Sequence, residues 1–513
     1  MQAYQEAIDF LDHIGKYSTH PGIENSERLL EALDHPERDL KIIHVAGTNG
    51  KGSVCAFLAD MLTAQGYRTG LFVSPHLVDL RERIQLDRKM IGIKDFSIHF
   101  LAVKQAAQQL AQEGYTGITY FDYLFATALC WYKEQSVDYA VIETGLGGRL
   151  DSTNALKSPL LSIITSISFD HTELLGDTIT KIAAEKAGII KPGIPLIYCA
   201  DEPDACKVII QAAKENGTPH IGIGRRHCKW FPTETADTKK TGQLQFMFCL
   251  PAMDCLPLTL MDGSFTDAYK EGIHEILTVN SPALYQAENA AMAFTAALWL
   301  FLLTLGAGKE TSDSKKKNLT FYSAPMHHRL ENFYAILKDS LTRSVWEGRF
   351  EQVLPNCYLD GAHNADGIRM LLASFRPIAA GKKATLLFAA VKEKDTEEMI
   401  REICESGLFC RYLVTTVGGA RAIAEEQLKE TFQKYTDSPV MTYLTPQDAF
   451  LSGLQYMGGD GKNYSIIDQS DMKDQIFLCA GSLYLVGLIK EYLLSQSIFS
   501  RPGTVMRKAP PSP

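Results

Sequence analysis

The chain has 513 residues, with 51 Lys and Arg against 60 Asp and Glu and a formal net charge of −9. At roughly 150 residues per domain, that length implies about two to four domains. The composition, 46% hydrophobic and 22% charged, is that of a globular protein large enough to fold without disulfides or a structural metal. The acidic balance argues against a protein whose main task is to neutralise nucleic-acid phosphates.

The 11 cysteines form no C-x-x-C pair, and most sit in apolar runs such as ALCWY and IFLCAG. They read as buried free thiols in a reducing, cytoplasmic setting. The N-terminus, MQAYQEAIDFLDHIGKY, has helical spacing and lacks the continuous apolar core of a signal peptide. The longest apolar stretch, residues 290–308, follows Glu288 and Asn289 and is rich in Ala in its first half. It reads as a buried helix ending near Gly306.

In chain order, residues 1–38 suggest one or two amphipathic helices, broken at His20-Pro21-Gly22 and His35-Pro36. KIIHVAG (41–47) reads as a buried strand running into a glycine-rich turn. Residues 53–66 then have helical periodicity and end at Gly66. A second strand follows at 69–74, giving the opening of a nucleotide-binding α/β domain. Further strands are expected at 137–144, 160–167 and 195–200, with helices between them. The economical architecture is a mostly parallel sheet covered on both faces. From about 218 to 285 the runs become short and β-rich (GQLQFMFCL, LPLTLMDG), as in a small antiparallel excursion. The polar stretch 306–318 reads as a linker or surface insertion. Alternation of strand and helix then resumes at CYLDGAHN, KATLLFAAV, CRYLVTTVG and QIFLCAGS, marking a smaller second α/β domain. The Pro-rich tail, 498–513, reads as disordered. His327-His328 is expected in a strand, where adjacent side chains face opposite ways, so it reads as surface rather than a metal site.

Between the first strand and its helix lie Gly47, Thr48, Asn49, Gly50, Lys51, Gly52 and Ser53. Glycines let the backbone turn its N–H groups toward an anion, the helix N-terminus adds its dipole, and Lys51 adds a full charge. That is a phosphate cradle, although Val45 and the inserted Gly52 depart from the strict G-x-x-x-x-G-K-[ST] spacing. Glu143 ends an apolar strand beside it, where a Mg²⁺ ligand or a merely solvated acid would be placed. Ser74 ends the second strand. His171 follows a strand after a short turn and could equally be a helix cap. Lys186 lies in a helical pattern that also allows a solvated lysine.

The string GTNGKGS resembles the phosphate loop of folylpolyglutamate and dihydrofolate synthases, within the Mur ligase superfamily. Other segments are similar in the same order. They are Ser74-Pro75-His76-Leu77 with Glu82-Arg83-Ile84, Thr119-Tyr120-Phe121-Asp122 (Asp for the usual Glu), and the run from Glu143 through Gly147-Gly148-Arg149-Leu150-Asp151 to Asn154. They continue with Asp170-His171-Thr172, Glu185-Lys186-Ala187-Gly188-Ile189, Gln286 to Asn289, Trp346-Glu347-Gly348-Arg349, Asp360 to Asn364, and Gly481-Ser482-Leu483-Tyr484. The resemblance implies an ATP-binding central domain over 1–305, a linker and insertion over 306–345, and a glutamate-ligase domain over 346–497.

It further implies an ATP- and Mg²⁺-dependent ligase that adds L-glutamate to a tetrahydrofolate polyglutamate, to dihydropteroate, or to both, through an acyl phosphate. Residues 47–53, Asn289, Arg349, Asp360 and His363 would serve ATP. Ser74, Glu143 and His171 would hold the ion, with Mn²⁺ as a substitute. Lys186, carbamylated, would hold a second ion. Lys51, His171 and Lys186 would be catalytic, and Arg83, Phe121 and Asp151 would contact the folate. A monomer without nucleic-acid or membrane partners is implied. The alternatives are another Mur-type amide ligase, a P-loop ATPase switch, and a catalytically inactive folate-binding homologue. Only 46 residues precede Gly47, too few for the UDP-sugar domain of cell-wall Mur ligases.

Overall fold

The computed structural model describes residues 2–14, 23–230, 242–250, 272–307, 326–392, 394–458 and 474–496. The chain divides into two units, one of Met1–Pro75 with Arg81–Val345, the other of His76–Leu80 with Trp346–Pro513.

In the first unit, α1 (Gln2–His13) and α2 (Glu24–Ala32) precede β1 (Ile42–Ala46), α3 (Lys51–Ala64) and β2 (Thr69–Phe72). A short hairpin, β3 (Ile84–Leu86) and β4 (Lys89–Met90), is followed by α4 (Ile93–Gln112), α5 (Tyr120–Glu134), β5 (Tyr139–Glu143) and β6 (Leu161–Ile164). Then come α6 (Thr172–Leu175), α7 (Ile179–Ala187), β7 (Leu196–Cys199), α8 (Pro203–Glu215) and β8 (His220–Ile223). The eight strands form one sheet in the order β4-β3-β2-β5-β1-β6-β7-β8, with β3 and β4 antiparallel and the rest parallel. Every residue of β1, β5, β6 and β7 is buried, as expected for strands covered on both faces. β1 lies between β5 and β6, so the ends of the central strands converge where the phosphate loop leaves β1.

The expected antiparallel excursion is a three-stranded sheet of β9 (Cys228–Trp230), β10 (Leu244–Leu250) and β11 (Ile273–Val279). The LPLTLMDG run lies outside the described residues. The long apolar helix is α9 (Tyr285–Ala307), which packs on α3. Its span-length window, Tyr285–Thr304, is 89% buried inside the fold, so its apolarity is that of a core helix.

The stretch 306–345 differs from the expected linker. It carries α10 (Met326–Arg343), which packs on α3 and β11. Phe333, Leu337 and Leu341 are buried at spacings of four, the signature of an amphipathic helix. His328 is therefore on a helix, exposed and facing Glu331, and not in a strand. The end of the unit is pinned to α3, where Asp60 accepts from Ser344 Oγ and pairs with Arg88 Nε at 2.9 Å.

The second unit runs β12 (Glu351–Leu354), β13 (Cys357–Leu359), α11 (Ala365–Ala379), β14 (Lys383–Phe388), α12 (Thr396–Glu405) and β15 (Phe409–Thr415). It continues with α13 (Glu425–Gln433), β16 (Val440–Tyr443), α14 (Pro446–Tyr456), β17 (Gln475–Ala480) and α15 (Leu483–Ser495). Its sheet order is β12-β13-β17-β14-β15-β16, parallel apart from β12. Leu77, from the 76–80 segment, packs into this unit's core. The described cysteines are all unpaired, but Cys410 is exposed rather than buried.

Candidate active site

The phosphate loop is held by the strand beside it. Thr48 N–H donates to Ser166 O at 2.7 Å. Thr48 Oγ1 bonds with both the carbonyl and the N–H of Ser168, each at 3.2 Å. Thr165 Oγ1 donates to Asn49 O at 2.7 Å. Gly47 (φ 151°) and Gly50 (φ 87°) take backbone conformations that favour glycine. A Cβ on Gly47 would also lie 1.8 Å from Thr165 Oγ1. α3 starts immediately after Gly50, so its free N–H groups face the loop.

Lys51 Nζ donates to Gly47 O at 3.1 Å and to Thr48 O at 3.2 Å. Lys186 Nζ donates to the same Gly47 carbonyl at 2.8 Å. Two lysine amines thus meet on one oxygen at the head of a helix dipole, a strongly anion-attracting spot. Lys186 is only 3% exposed, which excludes a solvated helical lysine. Burying its ammonium is costly, and the bond to the Gly47 carbonyl offsets part of that cost.

The placement of Lys186 explains two motif glycines. A Cβ on Gly148 would meet Glu185 O at 2.7 Å and Lys186 Cα at 3.0 Å. One on Gly188 would meet Arg149 Cα at 2.5 Å. Arg149 N–H donates to Glu185 O at 2.7 Å, and its side chain pairs with Glu185 at 2.6 Å. Asn154 Nδ2 donates to Arg149 O and accepts from Lys191 Nζ through its own carbonyl. The loop after β5 and the end of α7 are therefore interlocked, and Lys186 is fixed beneath the phosphate loop.

Glu143, 3% exposed, ends β5 and accepts Ser74 N–H on Oε2 at 2.9 Å. His171, in a left-handed conformation, opens α6, with Nε2 3.9 Å from Asp170 Oδ1. Among the described residues no three His, Cys, Asp or Glu side chains converge on a metal-binding cluster. Glu143 with the Ser74 hydroxyl suits a hard ion that keeps waters and phosphate oxygens in its shell, as Mg²⁺ does. Asn289, on the first turn of α9, donates from Nδ2 to Gln286 Oε1 at 3.0 Å. A Cβ on Gly50 would lie 2.3 Å from Asn289 Oδ1, so this turn presses on the phosphate loop.

The residues expected to contact folate lie in the same unit. The Arg83 guanidinium is 5.5 Å from the centroid of the Tyr120 ring. Phe121 is half-buried against the Gly145 backbone and 5.5 Å from the Phe72 ring. Asp122 has a structural explanation of its own. It closes the capping box of α5 with Thr119 and accepts from Ser26 Oγ. Asp151 accepts from Leu146 N–H at 2.7 Å, Thr153 N–H at 3.0 Å and Thr153 Oγ1 at 2.5 Å, and burial pushes its carboxyl pKa up.

Sequence reasoning missed His44, which sits on β1 with Nε2 2.8 Å from Thr153 Oγ1. Thr153 spends its hydroxyl proton on Asp151, so His44 donates from Nε2. Its buried Nδ1 has no partner among the described residues. Burial, and then Lys191, lower its pKa to about 3. The only signal in the sequence was a histidine inside KIIHVAG.

In the second unit, Asp360 follows β13 and is 2% exposed. It accepts Phe350 N–H and Ala362 N–H, each at 2.7 Å, and so shapes the turn around it. Arg349 lies across Gly361, where a Cβ would meet Nη1 at 2.2 Å. His363 Nδ1 donates to Gly361 O at 2.7 Å, which makes Nε2 the acceptor nitrogen. Asn364 caps α11 through Gly367 N–H.

The Mur ligase middle domain family matches residues 45–297, and the Mur ligase glutamate ligase domain family matches residues 348–462. The dihydrofolate synthase/folylpolyglutamate synthase of Bacillus subtilis is 33% identical over 404 residues, covering 78% of this chain and 83% of that protein. The crystal structure of folylpolyglutamate synthase from Thermotoga maritima superposes with a TM-score of 0.70 at 27% identity, covering 96% of this chain and 97% of that one. An FPGS–AMPPCP complex superposes with a TM-score of 0.69 at 25% identity, covering 96% of this chain and 99% of that one. With the glycine loop, the buried lysine and the strand-end carboxylate in place, these likenesses show that the chain belongs to the folylpolyglutamate synthase/dihydrofolate synthase family of Mur ligases.

Proposed function

We propose that this protein is an ATP- and Mg²⁺-dependent ligase joining L-glutamate to a folate in the cytoplasm. Its acceptors are tetrahydrofolate polyglutamates, dihydropteroate, or both. The observation that carries this reading is the convergence of Lys51 and Lys186 on the Gly47 carbonyl, beside a buried Glu143. A carboxylate oxygen of the acceptor attacks the γ-phosphorus, ADP leaves, and an acyl phosphate forms. The glutamate amine, having lost a proton, attacks the acyl carbon, and phosphate departs with that carboxylate oxygen.

Lys51, with the N–H groups of 47–53, binds the phosphates and offsets the charge on the transferring group. Asn289 orients the nucleotide, and Arg349, Asp360 and His363 are the second unit's nucleotide residues. Ser74, Glu143 and His171 would hold the divalent ion, which supplies charge neutralisation at the phosphoryl oxygens. Lys186, as its carbamate, would serve a second ion. Arg83, Phe121 and Asp151 orient the pterin end, with Phe121 offering a ring to stack on. The AMPPCP complex of a relative supports the nucleotide role.

The test is product formation with ATP, Mg²⁺ and glutamate, run in parallel on dihydropteroate and tetrahydrofolate and resolved by mass. Glutamate added to both means a bifunctional synthase, and to tetrahydrofolate alone a dedicated polyglutamate synthase. Addition to neither, with ATP still hydrolysed, refutes the folate assignment.

A further inference from the structure

Of the segments Trp346-Glu347-Gly348-Arg349 and Gly481-Ser482-Leu483-Tyr484, the proposed chemistry uses only Arg349. Within the second unit the two meet along one face of α15. Gly481 N–H donates to Ala362 O at 3.0 Å, and Ser482 caps the helix by accepting Tyr484 N–H at 3.1 Å. Leu483, Val486 and Lys490 follow at spacings of three and four, so they share a face. Leu483 presses on Gly361, where a Cβ would meet its Cδ2 at 2.2 Å. Val486 presses on Gly348, where a Cβ would meet its Cγ1 at 3.1 Å. Gly361 N–H in turn donates to Gly348 O at 2.8 Å.

Lys490 is the charged member of that face and is only 9% exposed. Its Nζ lies 2.6 Å from Glu347 Oε2 and donates to Glu351 Oε1 at 2.8 Å and Oε2 at 2.9 Å. Glu351 Oε2 also accepts Gly348 N–H at 2.7 Å. One ammonium therefore ties down both ends of the 347–351 turn. The turn needs such a tie. Gly348 (φ 69°) and Phe350 (φ 51°) are both left-handed, a conformation unfavourable for a side chain as bulky as Phe350. Between them stands Arg349, whose Nη1 donates to Gly348 O at 3.2 Å and lies across Gly361. Without the ammonium, Glu347 and Glu351 would be two carboxylates beside that guanidinium, able to draw it onto themselves.

We propose that Lys490 is a positioning residue for the nucleotide site: by binding Glu347 and Glu351 it anchors the 347–351 turn to α15 and aims Arg349 at the nucleotide. This rests on reading Arg349, with Asp360 and His363, as the second unit's nucleotide residues. Lys490 acts through Arg349 and not on the nucleotide itself. Removing its ammonium frees the turn and leaves the guanidinium to the two carboxylates, so nucleotide affinity falls.

The test is a double-mutant cycle on ADP binding by the full-length protein, measured by calorimetry for the wild type, Lys490→Met, Arg349→Met and the double variant. A hydrogen bond to a charged group is worth about tenfold to a hundredfold in affinity. Arg349→Met should weaken ADP binding by about that factor, and Lys490→Met by about tenfold. The double variant should bind within about twofold of Arg349→Met, because the lysine then has nothing left to aim. Effects that multiply in the double variant, or Lys490→Met binding ADP as the wild type does, mean a merely structural ion pair and overturn the proposal. If Lys490→Met does not fold, Glu351→Gln runs the same cycle. It keeps an acceptor for Gly348 N–H but loses the charge that Lys490 binds. It should weaken ADP binding about threefold with Arg349 present and not with Met there, and any other pattern overturns the proposal. Arg349→Met with unchanged ADP affinity overturns the nucleotide reading of the second unit and the proposal with it.

Discussion

Gly148→Ala tests whether the loop after β5 and the end of α7 really fix Lys186. The new Cβ would sit 2.7 Å from Glu185 O and 3.0 Å from both Lys186 Cα and Lys186 O. Ordinary contact begins near 3.4 Å, so the two backbone segments must part by about half an ångström or more. Overpacking of this kind costs about 1–3 kcal/mol. Stretching the 2.7 Å bond from Arg149 N–H to Glu185 O adds about 1 kcal/mol. The sum, about 2–4 kcal/mol, corresponds to a fall in melting temperature of roughly 3–6 °C for a unit of this size. Calorimetry should place the fall in one transition, since two units need not melt together. Turnover should fall at least tenfold, because Lys186 is displaced from the Gly47 carbonyl. Gly66→Ala is the control: φ is +87° there but nothing lies within 4 Å of the new Cβ, so strain alone costs about 1 kcal/mol. Gly148→Ala with unchanged melting and turnover would refute the interlock.

Glu143→Gln keeps an oxygen to accept Ser74 N–H but loses the charge for the ion. Turnover is expected to fall about 100-fold or more with little change in melting, measured by ATP-dependent product formation and calorimetry. Asp360→Asn sets an N–H₂ group against the N–H of Phe350 or Ala362, costing about 1–3 kcal/mol by denaturant unfolding of the second unit's transition. His44 is held neutral in the fold, with its pKa lowered to about 3 from 6.5. Between those values the unfolded chain binds the extra proton, so the wild type loses stability as pH falls from 6.5 toward 3, on the order of 4 kcal/mol in all. His44→Gln should remove one proton from that acid slope, read from melting at a series of pH values. An unchanged slope would contradict the neutral state of His44.

The parallel core was legible because its strands are continuous apolar runs ending in glycines or polar site residues, as in KIIHVAG and VDYAVIE. β3, β4, β8, β12 and β16 were not foreseen. They are short or lie toward sheet edges, where partial exposure erases the apolar run. α10 was hidden because its polar start, MHHR, and the SKKK run shortly before it made the whole stretch read as an insertion, although Phe333, Leu337 and Leu341 lie at helical spacing. The site showed the same division. Gly50 and Lys51 were plain from the loop pattern. The burial of Lys186 depends on two backbones meeting at Gly148 and Gly188, which no local pattern encodes.

The central claim is that ATP activates a folate carboxylate for attack by glutamate. The most direct measurement supplies tetrahydrofolate or dihydropteroate with its terminal carboxylate labelled in ¹⁸O, together with ATP, Mg²⁺ and glutamate. The account predicts one ¹⁸O in each phosphate released, matched one for one by amide product. Phosphate carrying no ¹⁸O, or released without amide, would contradict it.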